Sequence, residues 1–497
     1  MTKKLYLSFA IFFTAILSAQ APAIQWQKSF GGSKDDRAEA IQLTSDGGYI
    51  VAGWNSSNDG DVTQNRGFQD YWIVKLNGNG IMQWQKSLGG SWQDFAYAIQ
   101  QTSDGGYIVA GYSASTNGDI TGGNGSSNCW IVKLSDSGDI QWQKSLGGSN
   151  SDEARDVQLT TDGGYIVAGR SKSNDGDVTG NHGGYDAWIV KLNNSGVIQW
   201  QKSLGGSGDD DASSIQLTSD GGYVVAGSSS SNDGDVSGNH GGADYWIVKL
   251  DSVGMIQWQK SLGGSNEEKA SAIKPTLDGG YIVSGYSDSN DGDVLGTARE
   301  RDYWIVKLNN NGVVQWQKVL GGIAWDEAKD VQQTSDGGYI VTGHNTVYDY
   351  WVIKFNSSGG IQWQKTLGGS STDSANAIRQ TSDGGYIVAG YSSSTTGDVS
   401  GNHGNYDMWI VKLYPENLNS NETALNNNLL VENPIKDLLK LQSKETITSL
   451  QLYNTAGQLV KTSNSQKMSV KELSKGIYIL KIQLENGKTI SEKIIKE

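Results

Sequence analysis

Apolar positions along this chain come in short bursts. "GYIVAG" and "WIVKL" are nearly continuous apolar runs, as in strands covered on both faces. "IQWQKSL" alternates, which by the period of two places Ile198, Trp200 and Leu204 on one face of a strand. No segment shows an apolar period of 3.6 over a useful length. The bursts also repeat. "TSDGGYIVAG" stands at Thr44–Gly53, Thr102–Gly111 and Thr381–Gly390, with near copies at 160–169, 218–227, 276–285 and 334–343. The Trp of "QWQK" marks the step: Trp26, Trp84, Trp142, Trp200, Trp258, Trp316 and Trp363, spaced by 58 residues five times and then by 47.

Each unit holds four short segments, clearest in the third copy as "ARDVQLT", "GGYIVAG", "DAWIVKL" and "GVIQWQKSL". All are rich in β-branched and aromatic residues. "TDGG" and "NNSG" between them read as hairpin turns, with Gly supplying positive φ and Asp or Asn capping. Each unit is therefore predicted to be a four-stranded antiparallel sheet with two apolar faces. Stacking seven such sheets in a ring buries both faces and predicts a seven-bladed β-propeller. The ends agree. A lone "QWQK" strand opens the array at Ile24–Phe30, and three strands lacking a fourth close it at Met408–Leu413. Joined, they complete the seventh blade, an arrangement similar to the one-plus-three closure of WD-repeat propellers. An open β-solenoid is the alternative, and it needs no complementary ends. The tight turns fall on one face of the disc and the long loops on the other, so a ligand is expected on the long-loop face.

Composition sharpens the outline. The 497 residues include 66 Gly, 4 Pro, 17 Trp and 22 Tyr, which suits many short strands and tight turns. "MTKKLYLSFAIFFTAILSAQ" has two lysines, an apolar run and small residues, so residues 1–20 read as a signal peptide cleaved near Gln20. No later stretch is apolar and long enough to cross a membrane. The single cysteine, Cys129, excludes an internal disulfide and reads as a packed residue. The net charge is −14; residues 1–20 and 414–497 each carry +2, so the repeats at 21–413 carry −18, which disfavours nucleic acid.

Candidate chemistry is sparse. "SNDGDV" loops place Asp59, Asp61, Asp175, Asp177, Asp233, Asp235, Asp291 and Asp293 beside glycine. Such oxygens suit calcium, although Asp and Asn beside Gly also simply form turns, and the EF-hand's closing Glu is missing. Calcium is the one cofactor the pattern admits. A second series follows "GGS": Asp36, Asp94, Asp152, Asp210, Glu268, Asp326 and Asp373. It would ring one mouth of the channel and attract a cation, or cap its own turns. A third series, Asp70, Asn128, Asp186, Asp244, Asp302, Asp349 and Asp407, reads as backbone caps. His182, His240 and His403 recur at one loop position in different blades, too far apart to share a zinc ion. No catalytic motif is present, and an enzyme site needs a non-repeated set of groups. The non-repeated residues that stand out are Trp92, Tyr97, Trp325, Arg299 and Arg301, candidate contacts for sugar rings or protein.

Residues 414–428 are Asn-rich and read as a linker, and residues 429–497 as a small C-terminal β-sandwich. "VENPIKDLLKL", "LQLYNTAGQLVKT" and "LSKGIYILKIQLENGKTISEKIIK" resemble the type A C-terminal sorting domain of type IX secretion cargo. Asn433, Pro434, Tyr453, Gly457, Gly476, Tyr478 and Lys493 match its motifs; Glu432 stands where that family often has Pro, and Glu497 replaces a terminal lysine. The resemblance implies export by the type IX machinery of a Gram-negative bacterium, removal of the domain by its sortase-like protease, and release or attachment at the outer surface. The repeats themselves resemble those of uncharacterised secreted proteins bearing the same tail, which adds no activity. The expected function is a secreted or surface propeller, residues 21–413, that binds an extracellular glycan or protein without chemistry of its own. A polysaccharide-active enzyme and a calcium-stabilised structural protein are the alternatives.

Overall fold

The computed structural model describes residues 20–416 apart from 124–125 and 297–299, and residues 429–431, 435–443, 446–454, 458–485 and 489–496. The expected signal peptide, Arg299, Asn433, Pro434 and Gly457 lie outside the described residues, save Gln20 at the end of that peptide. Two compact units are present, one spanning Ala21–Pro415 and one holding Glu416–Glu497.

The larger unit is all-β and contains seven four-stranded antiparallel sheets among the described residues. The third blade is representative: Asp152–Leu159, Tyr165–Ser171, Asp186–Leu192 and Ile198–Leu204, paired in chain order. The last blade is composite. Ile24–Phe30 pairs with Asp407–Leu413, Gln27 facing Val411 and Phe30 facing Met408. The first strand of every blade packs against the first strands of both neighbours, and Asp36–Leu43 packs against Asp373–Gln380. The ring is thus closed, with the first strands innermost around a channel. This is the predicted propeller with its one-plus-three closure.

The recurrent decapeptide has a local cause and a long-range one. In Thr44-Ser-Asp-Gly-Gly, Gly47 takes φ 81°, a left-handed conformation that favours glycine. Asp46 Oδ1 accepts from the Gly48 N–H at 3.0 Å and from the Thr44 hydroxyl. The other Asp46 oxygen receives the Lys75 ammonium at 2.8 Å. Lys75 comes from "WIVKL" and is itself buried. The same Lys–Asp pair recurs in all seven blades, as Lys191–Asp162 and Lys412–Asp383 for example. Every copy of the turn therefore clamps the third strand of its own blade.

Cores lie between blades. One contains Ala40, Ile50, Tyr71 and Ile73 of the first blade against Ile99, Val109, Trp130 and Val132 of the second. Second and third strands are buried at all positions or all but one in every blade, as their continuous apolar runs require. Tyr71 donates to the Trp130 carbonyl across one such boundary at 2.8 Å, and Tyr245 and Tyr350 repeat this contact with Trp304 and Trp409. Cys129 is buried in the next core, and burial pushes its thiol well above the usual range.

One expectation about the fourth strand fails. Ile198 pairs with Leu192, but Trp200 pairs with Lys191, so a β-bulge at Gln199 reverses the alternation. Ile198 joins the core on one side of the blade, whereas Trp200 and Leu204 join the core on the other.

The smaller unit has two sheets over one core. Leu429–Val431, Leu438–Ser443 and Lys467–Ser469 form one, and Leu459–Ser463, Ile447–Asn454, Gly476–Leu484 and Thr489–Lys496 the other. Leu439, Leu450, Leu452, Leu480 and Ile482 fill the space between. This is the expected sandwich.

Candidate ligand-binding channel

In the innermost strands, alternate side chains face the neighbouring blades and the channel. The blade-facing positions are nearly constant: Ala38, Ala96, Ala154, Ala212, Ala270, Ala328 and Ala375 are fully buried. The channel-facing positions differ from blade to blade. At the long-loop end, the first and second strands present seven unlike cross-strand pairs: Arg37 with Trp54, Phe95 with Tyr112, Glu153 with Arg170, Asp211 with Ser228, Lys269 with Tyr286, Glu327 with His344, and Ser374 with Tyr391. The seven-fold symmetry of the backbone is broken here by side chains alone.

One arc of this mouth is aromatic. Phe95 stacks on Tyr112 at 5.3 Å between centroids and on Tyr97 at 6.4 Å, and Trp54 meets Phe95 edge-on at 5.1 Å. Arg155 lies over Tyr97 at 4.3 Å and Arg37 over Tyr391 at 4.2 Å. The other arc is ionic. Arg170 pairs with Glu153 at 3.1 Å, Lys269 with Asp211 at 2.7 Å and Lys329 with Glu327 at 2.8 Å. His344 stacks on Tyr348, and burial holds its imidazole down at about 4, so it stays neutral. Deeper in, Asp156, Lys274, Asp330 and Arg379 mix with glutamines; Arg379 is bonded to Asp330. Glu39, Arg155 and Lys274 line a cavity of about 490 Å³ within this channel. Burial raises the Glu39 carboxyl; Trp54 Nε1 and Asn376 Nδ2 donate to its two oxygens at 3.2 and 3.0 Å.

The residues singled out in the sequence are divided by the fold. Tyr97 and Arg301 both line the cavity. The Arg301 guanidinium stacks over Tyr286 at 3.9 Å and over the exposed Trp325 at 4.9 Å. Trp92 is 57 % exposed and stacks on Phe68, its ring centroid 5.7 Å away.

The loop aspartates act on the backbone. Asp59, Asp175, Asp233 and Asp291 accept from the N–H of Ser33, Ser149, Ser207 and Ser265 at 2.7–2.8 Å. Asp61, Asp177 and Asp235 accept from Gly31, Gly147 and Gly205, and the Asp293 carboxylate lies 3.7 Å from His240. Among the described residues no group of three or more His, Cys, Asp or Glu is placed to hold a metal ion.

The second carboxylate series does not face the channel mouth, although its strands are innermost. Asp36 is fully buried; its carboxylate accepts from Gly32 N, Ser56 N, Ser57 N and the Ser57 hydroxyl. These groups cap the loops of their own blades. Each also approaches the third series across a blade boundary. A Cβ on Gly89 would lie 2.6 Å from both Asp70 Oδ1 and Asp94 Oδ2, which explains the first glycine of "GGS". Burial pushes Asp70 and Asp94 up to about 6. In three boundaries a histidine completes the group: His182, His240 and His403 each place Nδ1 2.7 Å from Asp186, Asp244 and Asp407.

The channel escaped the sequence reading because that reading followed what the repeats share. The signal was there in what they do not share. Within "DxAxxIQ", the columns of Arg37 and Glu39 each hold six residue types across the seven blades.

In the smaller unit, Tyr478 is buried, and its hydroxyl donates to the Ser474 carbonyl at 2.8 Å. Tyr453 donates to Gln451 at 2.8 Å, Gly476 opens a strand, and Lys493 pairs in register with Ile479.

Comparison with known proteins bears on the two units unequally. Regulatory protein FlaEY of Caulobacter vibrioides is 28% identical over 200 residues, 36% of this chain; the match spans only 20% of that protein's length. Among solved structures, the Neurospora crassa Pan2 WD40 domain is 11% identical with a TM-score of 0.43, covering 78% of this chain and 91% of its own. The extracellular domain of a putative hybrid two component system from B. thetaiotaomicron is 11% identical with a TM-score of 0.31, covering 93% and 68%. Residues 433–497 match the family model described as Secretion system C-terminal sorting domain. This protein carries a type IX C-terminal sorting domain behind a β-propeller and is a secreted or outer-surface protein.

Proposed function

We propose that the propeller binds an extracellular glycan or protein in the mouth of its channel and performs no chemistry on it. The observation that carries this reading is the set of seven unlike side-chain pairs at that mouth. A scaffold that repeats its structural residues seven times while varying this lining supports a specific occupant for it. Stacked rings and arginines held over tyrosines offer flat apolar faces and directed donors, which suit sugar rings and protein hot spots. Signal peptide and sorting tail deliver such a surface outside the cell, where the type IX machinery and its sortase-like protease are its partners in export.

The test is a glycan array and a surface-protein capture with the secreted protein, beside a Tyr97→Ala, Arg155→Ala double variant. Binding that is lost in the variant, with its thermal unfolding unchanged, is expected. Binding indifferent to both changes would put the ligand elsewhere and sink the reading.

A second reading has one observation in its favour. Glu39 is the one carboxylate in its column, Glu153, Asp211 and Glu327 fill three of the seven places in theirs, and polysaccharide hydrolysis needs an asymmetric pair of carboxyl groups. Release of reducing ends from a bound polysaccharide, abolished in Glu39→Gln, would establish it over simple binding.

A further inference from the structure

The cations of the channel mouth are matched to carboxylates with one exception. Arg155 and Arg170 share Glu153, Lys269 holds Asp211, and Lys329 holds Glu327. Arg37 meets rings instead: Tyr391 at 4.2 Å, Tyr406 at 4.4 Å and Trp54 at 5.1 Å. Among the described residues no carboxylate lies within ion-pair distance of it, and its Nε is buried without a hydrogen-bond partner. Rings cover the faces of a guanidinium and leave its N–H edge for an acceptor in the plane. A carboxylate fits that fork with two parallel hydrogen bonds.

What stands beside Arg37 narrows the bearer of the carboxylate. Trp54 meets the stacked rings of Phe95, Tyr112 and Tyr97, of which Tyr97 lines the cavity. The stacked rings of Phe95 and Tyr97 near an unpaired guanidinium suit a pyranose that carries its own carboxylate. We infer that Arg37 anchors the carboxylate of a uronic acid in an acidic glycan, with the sugar rings lying along Phe95 and Tyr97. The inference rests on the ligand-binding reading above. The chain's net charge of −14 opposes a long polyanion at a distance. Entry of a short oligomer or a chain end into the mouth is therefore favoured over a strand laid across the disc.

The experiment is calorimetric titration of the full secreted chain with trigalacturonate, its carboxyl-reduced neutral counterpart and oligoglutamate. Binding of trigalacturonate is expected, weakened at least about tenfold in the neutral sugar and in Arg37→Gln. Thermal unfolding of the variant shows that it folds. Equal affinity for the neutral sugar, or for trigalacturonate in R37Q, would overturn the carboxylate anchor while leaving glycan binding intact. Binding of oligoglutamate without trigalacturonate would overturn the glycan and leave a protein ligand. No binding by any of the three, with a neutral glycan or a protein captured in the screens above, would overturn this inference alone. Failure of those screens as well would take the ligand-binding reading with it.

Discussion

The Lys191 ammonium lies 2.8 Å from Asp162 Oδ2, joining the third strand of a blade to the turn before its second strand. The Leu192 carbonyl at 3.1 Å and Gln199 Oε1 at 2.9 Å complete its shell. Lys191 is buried, while the Asp162 side chain is half exposed. The lysine thus depends on the aspartate more than the reverse. Asp162→Asn keeps the acceptor for Gly164 N–H and removes the charge opposite a buried ammonium. It should cost about 1–2 kcal/mol in urea unfolding. Adding Lys191→Met to that variant should recover part of the loss, because no buried charge then remains.

Acid should first stabilise this protein and then destabilise it. Burial raises Asp70, Asp94, Asp244, Asp349 and Asp407 to about 6, against 3.8 for an ordinary carboxyl. Between those values the folded state holds more protons than the unfolded one, so stability rises as pH falls. His240, raised chiefly by its hydrogen bond to Asp244, acts in the same direction, its contribution being lost as pH climbs through the folded value. Asp162 and Asp220 behave oppositely. The hydrogen bonds from Lys191 and Lys249, then those from Thr160 and Thr218, hold them at about 2. Their contribution is complete above 3.8 and lost towards 2. The melting temperature should therefore be higher at pH 5 than at pH 7.5 and fall steeply below pH 3.5. A monotonic decline from pH 7.5 would contradict the buried carboxyl pairs.

Closure of the ring rests on seven residues at the opposite end of the propeller sequence. Removing Ile24–Phe30 leaves the edge of Asp407–Leu413 unpaired and Met408 uncovered, and unpaired edges recruit other chains. Loss of Phe30 burial alone costs about 1.5–3 kcal/mol. The deletion variant should unfold at lower urea and elute as oligomers in size-exclusion chromatography. A peptide of sequence IQWQKSF, supplied in excess, should restore the monomer.

Chelation addresses the loop aspartates. Their carboxylates are engaged with backbone N–H groups of the "GGS" loops. Melting in excess EDTA should match melting in calcium to within a degree or so. A fall of several degrees on chelation would revive calcium as a structural ion.

The strands, their order and the closure were legible because each depends on local pattern repeated seven times. Gly47 and Asp46 announce their turn in five letters. What lay beyond the pattern had two causes. A single inserted residue, Gln199, moves Ile198 to the opposite face from Trp200, and nothing in "IQWQKSL" marks it. The role of Asp36 depended on which direction its side chain takes at the start of an innermost strand, towards the channel or into its own loops. Arg37 was hidden differently. It stands beside an invariant acid, and its partners Tyr391 and Tyr406 come from the other end of the ring, more than 350 residues away.

The sorting domain can be separated from the propeller by experiment. In a type IX host, deletion of residues 433–497 should leave the propeller folded, since Ala21–Pro415 is a compact unit with its own cores. The deleted protein should then accumulate in the periplasm rather than in the medium or on the surface. A milder lesion gives the sharper result. Tyr478 is buried among Leu450, Leu452 and Leu480, and its hydroxyl is bonded to Ser474. Tyr478→Ala removes a large aromatic from that small core and should cost about 3–5 kcal/mol of the sorting domain's own stability. Export should fall while the propeller's melting stays unchanged. The mass of the exported wild-type protein should show the C-terminal domain removed. Normal export of both variants would mean that the address is read elsewhere in the chain.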